Sequence, residues 1–133
     1  LEIIQTPIER AGVSDRMKVL AAVAVPKLAD MFNMADICVY PNGSSLSCME
    51  AAASGRPVIV TDLPWGLERQ RAGVTVCYQT GNIDDLRGKI RWLLSDLDAR
   101  DGIGRRARQA DLAISNQGVC APLSPRHRRS RFD

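Results

Sequence analysis

The chain has 133 residues, which suits one domain of ordinary size with its own hydrophobic core. Its 45% hydrophobic and 25% charged residues are typical of a folded domain and exclude a wholly disordered chain. The net charge of +3 argues against a dedicated nucleic-acid binder, and the sequence contains no apolar run of the roughly 18 residues that a membrane-spanning helix needs.

Two elements are predicted before residue 36. The apolar run MKVLAAVAV, Met17 to Val25, predicts a strand that turns at Pro26, whereas residues 1–16 show a mixed pattern. A short helix is expected over Lys27–Met34, because its apolar residues recur at nearly helical spacing with charged residues between them.

Two buried strands are predicted next. The run Ile37–Tyr40 is short, β-rich and stopped by Pro41, and Val58–Val60 has the same character. Thr61 and Asp62 follow the second strand directly. Since open α/β sheets bind ligands at the carboxyl ends of their strands, a ligand site is expected at this edge.

A helix between these strands is predicted to begin with a serine cap. Either Ser44 or Ser45 can accept a hydrogen bond from a first-turn N–H group, the helix extends to Ala53, and Gly55 ends it. Together with Gly43, these serines place small side chains and free N–H groups at the positive end of the helix dipole. The arrangement predicts a phosphate or pyrophosphate site.

Glu50 lies roughly one to one and a half turns into the same helix. Its carboxylate could accept hydrogen bonds from a vicinal diol such as a ribose. The residues alone leave a second interpretation open, in which this is an ordinary βαβ unit whose glutamate is solvated.

The remaining elements continue an alternating α/β pattern. Pro64 and Gly66 predict a loop before a short helix over 67–71, and 74–78 predicts a strand towards the edge of the sheet. One helix is expected to begin at Asp84, and another extends from about Asp98 to about Ala113. The apolar face of the first of these helices comprises Leu86, Ile90, Leu93 and Leu94.

Residues 115–133 carry prolines and arginines without helical or strand periodicity, which predicts a disordered basic tail after a folded lobe of residues 1–114. The single histidine, His127, falls in this tail, and the four cysteines are widely spaced. No Asp-x-Asp pair lies near the glycine turn. We therefore expect no metal site, no disulfides and no histidine-assisted nucleophile.

The chain reads ADICVYP, then a few small residues, then MEAAASGRPVIVTD. This order of residues resembles the carboxyl-terminal nucleotide-sugar domain of GT-B glycosyltransferases, especially the retaining family 4 enzymes. The resemblance covers residues 17–109. It implies an α/β fold with a Rossmann-like parallel sheet flanked by helices, which is one lobe of a GT-B fold. It further implies a UDP-, GDP- or ADP-sugar as donor substrate, without an additional cofactor.

The resemblance also assigns site residues. In that family two glutamates eight positions apart flank a glycine-rich turn, and Glu50 matches the second, which contacts the ribose. Asn42 stands where the first glutamate would face the transferred sugar. The phosphates would be held by the small-residue turn and the first helical residue, that is by Gly43, Ser44, Ser45 and Leu46.

The function implied is transfer of a hexosyl group from a nucleoside diphosphate sugar to an unknown acceptor. A GT-B enzyme has two lobes, so we expect an amino-terminal acceptor lobe or partner subunit to complete the site. The alternative is a non-catalytic nucleotide-binding or remnant domain, favoured by Asn42 and by the lack of a convincing match for the family's basic pair upstream of Asp36. We expect a cytoplasmic location and no nucleic-acid partner; peripheral contact with an anionic membrane face and self-association stay open.

Overall fold

The computed structural model describes residues 2–42 and 45–115. Most of the predicted basic tail, 116–133, lies outside the described residues, as do Gly43 and Ser44. The described elements, in chain order, are α1 (Glu2–Arg10), α2 (Val25–Met34), β1 (Cys38–Tyr40), α3 (Leu46–Ala53), β2 (Val58–Thr61), α4 (Pro64–Arg71), β3 (Val76–Tyr78), α5 (Ile83–Ser95) and α6 (Leu97–Ser115). Of these helices, none has the length and apolar character needed to cross a bilayer.

The strands form a parallel sheet in the order β1-β2-β3. The central strand β2 is β-branched throughout, and its residues Val58, Ile59 and Val60 have no exposed surface. A strand covered by helices on both faces requires such a continuous apolar run. The predicted α/β architecture, a parallel sheet flanked by helices, is therefore confirmed.

Apolar side chains pack on both faces of this sheet. One cluster joins α3, α4 and β2 and includes Cys48, Ala51 and Val60. The other joins β3 and α5 and includes Tyr78 and Leu93. Helix α6 contributes to both clusters, through Ala107 on the first and Ile103 on the second.

Helix α6 crosses the sheet at the amino-terminal end of β2. A Cβ atom on Gly104 would overlap the carbonyl oxygen of Gly55 and would lie 3.7 Å from Cδ of Pro57. Gly55 itself has φ +81°, a left-handed conformation that glycine adopts readily, and it ends α3 as predicted. The long helix therefore packs at the end of the sheet opposite the carboxyl edge, and it contacts α3 extensively.

The structure corrects the prediction for the first third of the chain. Residues 17–24 form no strand, and Met17 and Leu20 are largely exposed. A strand needs a hydrogen-bonded neighbour, and among the described residues no strand pairs with this segment. Conversely, α1 forms within the first sixteen residues, for which no element was predicted.

Two further details of the sequence-based prediction differ from the structure. Helix α4 begins at Pro64, so the loop predicted around Pro64 and Gly66 is wrong. Proline suits the first helical position because its missing N–H group has no partner there anyway. Leu94, expected on the buried face of α5, is 53% exposed, whereas Leu93 is completely buried.

Candidate functional site

The carboxyl ends of the three described strands lie along one edge of the sheet. Tyr40 ends β1, Thr61 ends β2 and Tyr78 ends β3, and the register pairs Thr61 with Tyr78. The loops that follow these strands therefore meet at this edge, which is where parallel α/β sheets bind ligands.

Helix α3 begins at this edge, and Ser45 is its N-cap. The Cys48 backbone N–H donates to Ser45 Oγ with an N···O distance of 3.3 Å, and the hydroxyls of Ser45 and Ser47 lie 2.9 Å apart. Of the two serines predicted as the cap, the structure selects Ser45. The first turn of any helix presents backbone N–H groups without intrahelical acceptors, so the amino end of α3 is suited to an anion.

Three other predicted site residues are described. Asn42 is exposed in the turn after β1, and Leu46, the first residue of α3, is 65% exposed. Glu50 lies half-buried in the middle of α3. The structure therefore brings Asn42, Ser45 and Leu46 to the same edge, with Glu50 on the helix that starts there.

Glu50 also affects the nearby Tyr40 hydroxyl. Burial is the largest cause that raises the pKa of Tyr40, a hydrogen bond with the Ser47 side chain lowers it, and nearby ionisable groups, among them Glu50, raise it further. The phenol consequently stays protonated at neutral pH and remains a hydrogen-bond donor.

A polar contact that the sequence interpretation missed joins two loops at this edge. Asp62 Oδ1 accepts hydrogen bonds from the Thr80 hydroxyl at 2.6 Å and from the Thr80 backbone N–H at 2.9 Å. These bonds lower the pKa of the Asp62 carboxyl. Since the partners are 18 positions apart, only the adjacency of β2 and β3 in the sheet reveals the contact.

Helix α4 carries an aromatic and ionic cluster beside the core. The Arg69 guanidinium carbon lies 5.1 Å from the centre of the Trp65 ring. The two terminal nitrogens of this guanidinium donate to the carboxylate oxygens of Asp111 on α6. Trp65 packs against the core cluster of α3 and β2. The structure therefore supports a packing role for Trp65.

The described cysteines Cys38, Cys48 and Cys77 are buried free thiols. Burial raises the pKa of Cys48 to about 11, so its thiol is neutral at physiological pH. Within 2–42 and 45–115, no group of three histidine, cysteine or acidic residues is arranged to hold a metal ion.

Comparison with known proteins identifies a matching family and similar solved structures. A family model described as "Glycosyl transferases group 1" matches residues 2–96. The fold is similar to a solved structure of sucrose-phosphate synthase from Thermosynechococcus elongatus, with a TM-score of 0.73 and 21% sequence identity. No curated protein matches the chain.

The structural match covers 84% of this chain but only 29% of the synthase. At this level of identity it shows the fold alone, a Rossmann-like α/β lobe of the GT-B type. The family model, in contrast, spans well over half of the sequence and includes β1, α3 and β2. The chain therefore belongs to the group 1 glycosyltransferases.

Proposed function

We propose that this chain is the donor-binding lobe of a glycosyltransferase that transfers a hexosyl group from a nucleoside diphosphate sugar to an acceptor bound elsewhere. The observation that carries the proposal is the serine-capped amino end of α3 at the carboxyl edge of the sheet, with Glu50 on the same helix. The family membership supports the same interpretation.

In this proposal the diphosphate binds at the amino end of α3. The N–H groups of the first turn, beginning at Leu46, and the hydroxyl of Ser45 are its donors there. Gly43 and Ser44, which precede Ser45 in the sequence, are proposed as further phosphate contacts. Positive potential at a helix amino end also favours the charge that develops on the departing diphosphate.

Glu50 is proposed to accept hydrogen bonds from the ribose hydroxyls, and Asn42 to contact the sugar. An asparagine can donate to and accept from sugar hydroxyls, but it carries no charge to stabilise an oxocarbenium-like transition state. The exposure of Asn42 leaves its amide accessible to a sugar at this edge.

The first prediction is that one nucleoside diphosphate stabilises the chain against thermal unfolding. At about a hundredfold excess over its dissociation constant, binding to the folded state alone adds roughly 2 to 3 kcal/mol to the free energy of unfolding. UDP, GDP and ADP are compared by differential scanning calorimetry, with the matching nucleosides as controls. A cooperative transition that none of the diphosphates shifts would contradict the proposal.

The second prediction is that Glu50→Gln weakens binding of that nucleotide roughly tenfold, about 1.4 kcal/mol, because hydrogen bonds to a charged acceptor exceed those to an amide. Isothermal titration calorimetry measures the change. Glu68→Gln is the matched control, since Glu68 is exposed on α4 and is expected to leave the affinity unchanged. Equal affinities in wild type and Glu50→Gln would remove Glu50 from the ribose site.

A second candidate function is a nucleotide-binding lobe that performs no chemistry, favoured by the uncharged Asn42 in place of an acid. The two candidates differ in whether the sugar contributes to binding. If Asn42 contacts the sugar, a sugar nucleotide should bind more tightly than its diphosphate, and Asn42→Ala should abolish the difference. Equal affinities for both ligands would favour the non-catalytic candidate.

A further inference from the structure

Asp62 is the first residue after β2 at the carboxyl edge, and both its backbone and its carboxylate are anchored there. Its Oδ1 atom accepts from the hydroxyl and from the backbone N–H of Thr80, at 2.6 and 2.9 Å. Its own backbone N–H donates to the carbonyl oxygen of Tyr78 at 3.0 Å. The backbone at Asp62 therefore continues the pairing of β2 with β3, and the carboxylate has a defined position beside the end of the sheet.

The loop that carries Thr80, residues 79–82, is itself held by hydrogen bonds. The Gln79 backbone N–H donates to Asp85 Oδ2 at 2.7 Å, and the Asn82 side-chain amide donates to Gln79 Oε1 at 3.0 Å. Asn82 also caps α5, because its side-chain oxygen accepts from the Asp85 backbone N–H. A carboxylate fixed by such a loop loses little conformational entropy when it binds a ligand.

Asp62 retains the capacity to bind a further group. Neither neighbouring helix has it at the N-cap position, which is Leu63 in α4 and Asn82 in α5. A carboxylate offers about four lone-pair sites, and the two bonds from Thr80 use only part of this capacity. Since Asp62 is also partly exposed, it can accept a hydrogen bond from a hydroxyl group at this edge.

The register of the sheet places Asp62 and Asn42 at equivalent positions on two adjacent strand ends. Tyr40 of β1 pairs with Val60 of β2. Asn42 and Asp62 are each the second residue after this pair. Neighbouring strands lie about 4.8 Å apart, so the two residues follow neighbouring strands at one edge. An amide and a carboxylate together suit a sugar hydroxyl, since the amide can donate to its oxygen while the carboxylate accepts its hydrogen.

We propose that Asp62 accepts a hydrogen bond from a hydroxyl of the donor sugar and forms the sugar subsite together with Asn42. This inference rests on the proposed function, because it assigns a sugar nucleotide to the carboxyl edge. The hydrogen bond has a charged acceptor and is therefore stronger than one between neutral groups. Asn42 and Asp62 bind the same hydroxyl, so removal of either side chain weakens the contribution of both.

The test uses Asp62→Asn, which keeps the shape of the side chain and an oxygen that can accept from Thr80. UDP, GDP and ADP are each compared with their glucosyl and mannosyl conjugates by isothermal titration calorimetry. The preference of the wild type for a sugar nucleotide over its diphosphate is expected to fall about threefold to tenfold in the variant. Affinity for the diphosphate alone is expected to stay unchanged or to rise, because the substitution removes a negative charge from this edge.

Asp85→Asn is the matched control, because it makes the same change at a carboxylate that accepts from the same loop. It is expected to lower the melting temperature without changing the preference for the sugar nucleotide. If Asp62→Asn weakens binding of the diphosphate as much as binding of the sugar nucleotide, Asp62 acts on the loop alone and the sugar contact is overturned.

Thr80→Val provides a second test should Asp62→Asn not fold. It removes the hydroxyl bond to Asp62 and keeps the bond from the backbone N–H, so the carboxylate is held less firmly. The preference for the sugar nucleotide is then expected to fall about twofold to threefold, less than the full effect of one hydrogen bond. An unchanged preference in this variant overturns the proposal.

The outcomes separate this inference from the proposed function. If the wild type prefers the sugar nucleotide and Asp62→Asn retains that preference in full, the inference is overturned and the proposed function stands. If the wild type binds a diphosphate without preferring either conjugate, the sugar subsite is overturned and nucleotide binding alone remains. If no nucleoside diphosphate binds, the proposed function fails and the inference is overturned with it.

Discussion

Replacing Asp111 by alanine is expected to lower the free energy of unfolding by about 3 to 5 kcal/mol, because it leaves a buried guanidinium without its counter-ion. Arg69 donates to the two carboxylate oxygens of Asp111 at 3.0 and 2.7 Å. The side chains are only 13% and 3% exposed, so water cannot replace the lost partner. Urea denaturation followed by circular dichroism measures the change.

Asp84→Ala is the control for this prediction. Asp84 also pairs with an arginine, Arg87, at 2.6 Å, but the two side chains are 86% and 55% exposed. An exposed pair of this kind contributes about 0 to 1 kcal/mol, so a small loss is expected. Similar losses for Asp84→Ala and Asp111→Ala would show that burial of the Arg69 pair has no energetic consequence.

The double variant Arg69→Leu/Asp111→Leu provides an independent check. Replacing both charges by apolar side chains removes the pair without leaving a buried ion, and such replacements are often neutral or stabilising. We therefore expect the double variant to be more stable than Asp111→Ala. The opposite order would mean that the loss arises from packing rather than from the unpaired charge.

Replacing Gly104 by alanine is expected to destabilise the chain by about 2 to 3 kcal/mol, since the added methyl group would overlap the carbonyl oxygen of Gly55. That carbonyl belongs to the backbone at the tight turn after α3, so it cannot move aside as a side chain would. The change outweighs the gain of roughly 1 kcal/mol that alanine normally brings to a helix. The melting temperature is expected to fall by roughly 10 °C or more.

Replacing Gly88 by alanine should instead raise the free energy of unfolding. Gly88 lies within α5, and a Cβ atom built there meets nothing within 4 Å. Gly88→Ala is expected to stabilise the chain by about 0.5 to 1 kcal/mol through helix propensity and reduced freedom of the unfolded chain. If Gly104→Ala were equally stabilising, the close approach of α6 to Gly55 would be excluded.

The variants Asp111→Ala and Gly104→Ala also bear on the candidate site. Asp111 and Gly104 lie on α6, and this helix packs along α3, whose amino end forms the proposed phosphate site. A displaced α6 would remove the support of α3 at its carboxyl-terminal end. We therefore expect loss of stability and loss of nucleotide affinity to accompany each other in these variants.

Much of the sheet and its helices could be predicted from local patterns. The strands β1 and β2 are short apolar runs bounded by Pro41 and Gly55, and Ser45 is a good N-cap, so each signal lies within a few residues of the element it determines. The strand predicted over residues 17–25 is wrong because that prediction rested on the local pattern alone. Its apolar residues satisfy the local pattern, but a strand also requires a neighbour, which no local pattern supplies.

The same distinction between local pattern and tertiary contact applies to the candidate site. Asn42, Ser45, Leu46 and Glu50 could be proposed from the sequence because they lie in one short segment with a specific order of residues. Thr80, by contrast, contacts Asp62 only because β2 and β3 are adjacent in the sheet. Gly43 and Ser44 lie outside the described residues, and their role in binding stays a prediction.

The family, the parallel α/β layout and the capped helix that follows β1 could be predicted from the sequence, because these depend on residue order and on interactions between near neighbours in the chain. How the helices support that site became visible from tertiary contacts alone. The Arg69–Asp111 pair spans 42 positions, and the approach of Gly104 to Gly55 joins α6 to the turn that follows α3. Such contacts depend on how α6 crosses the sheet, and no short stretch of sequence encodes that crossing.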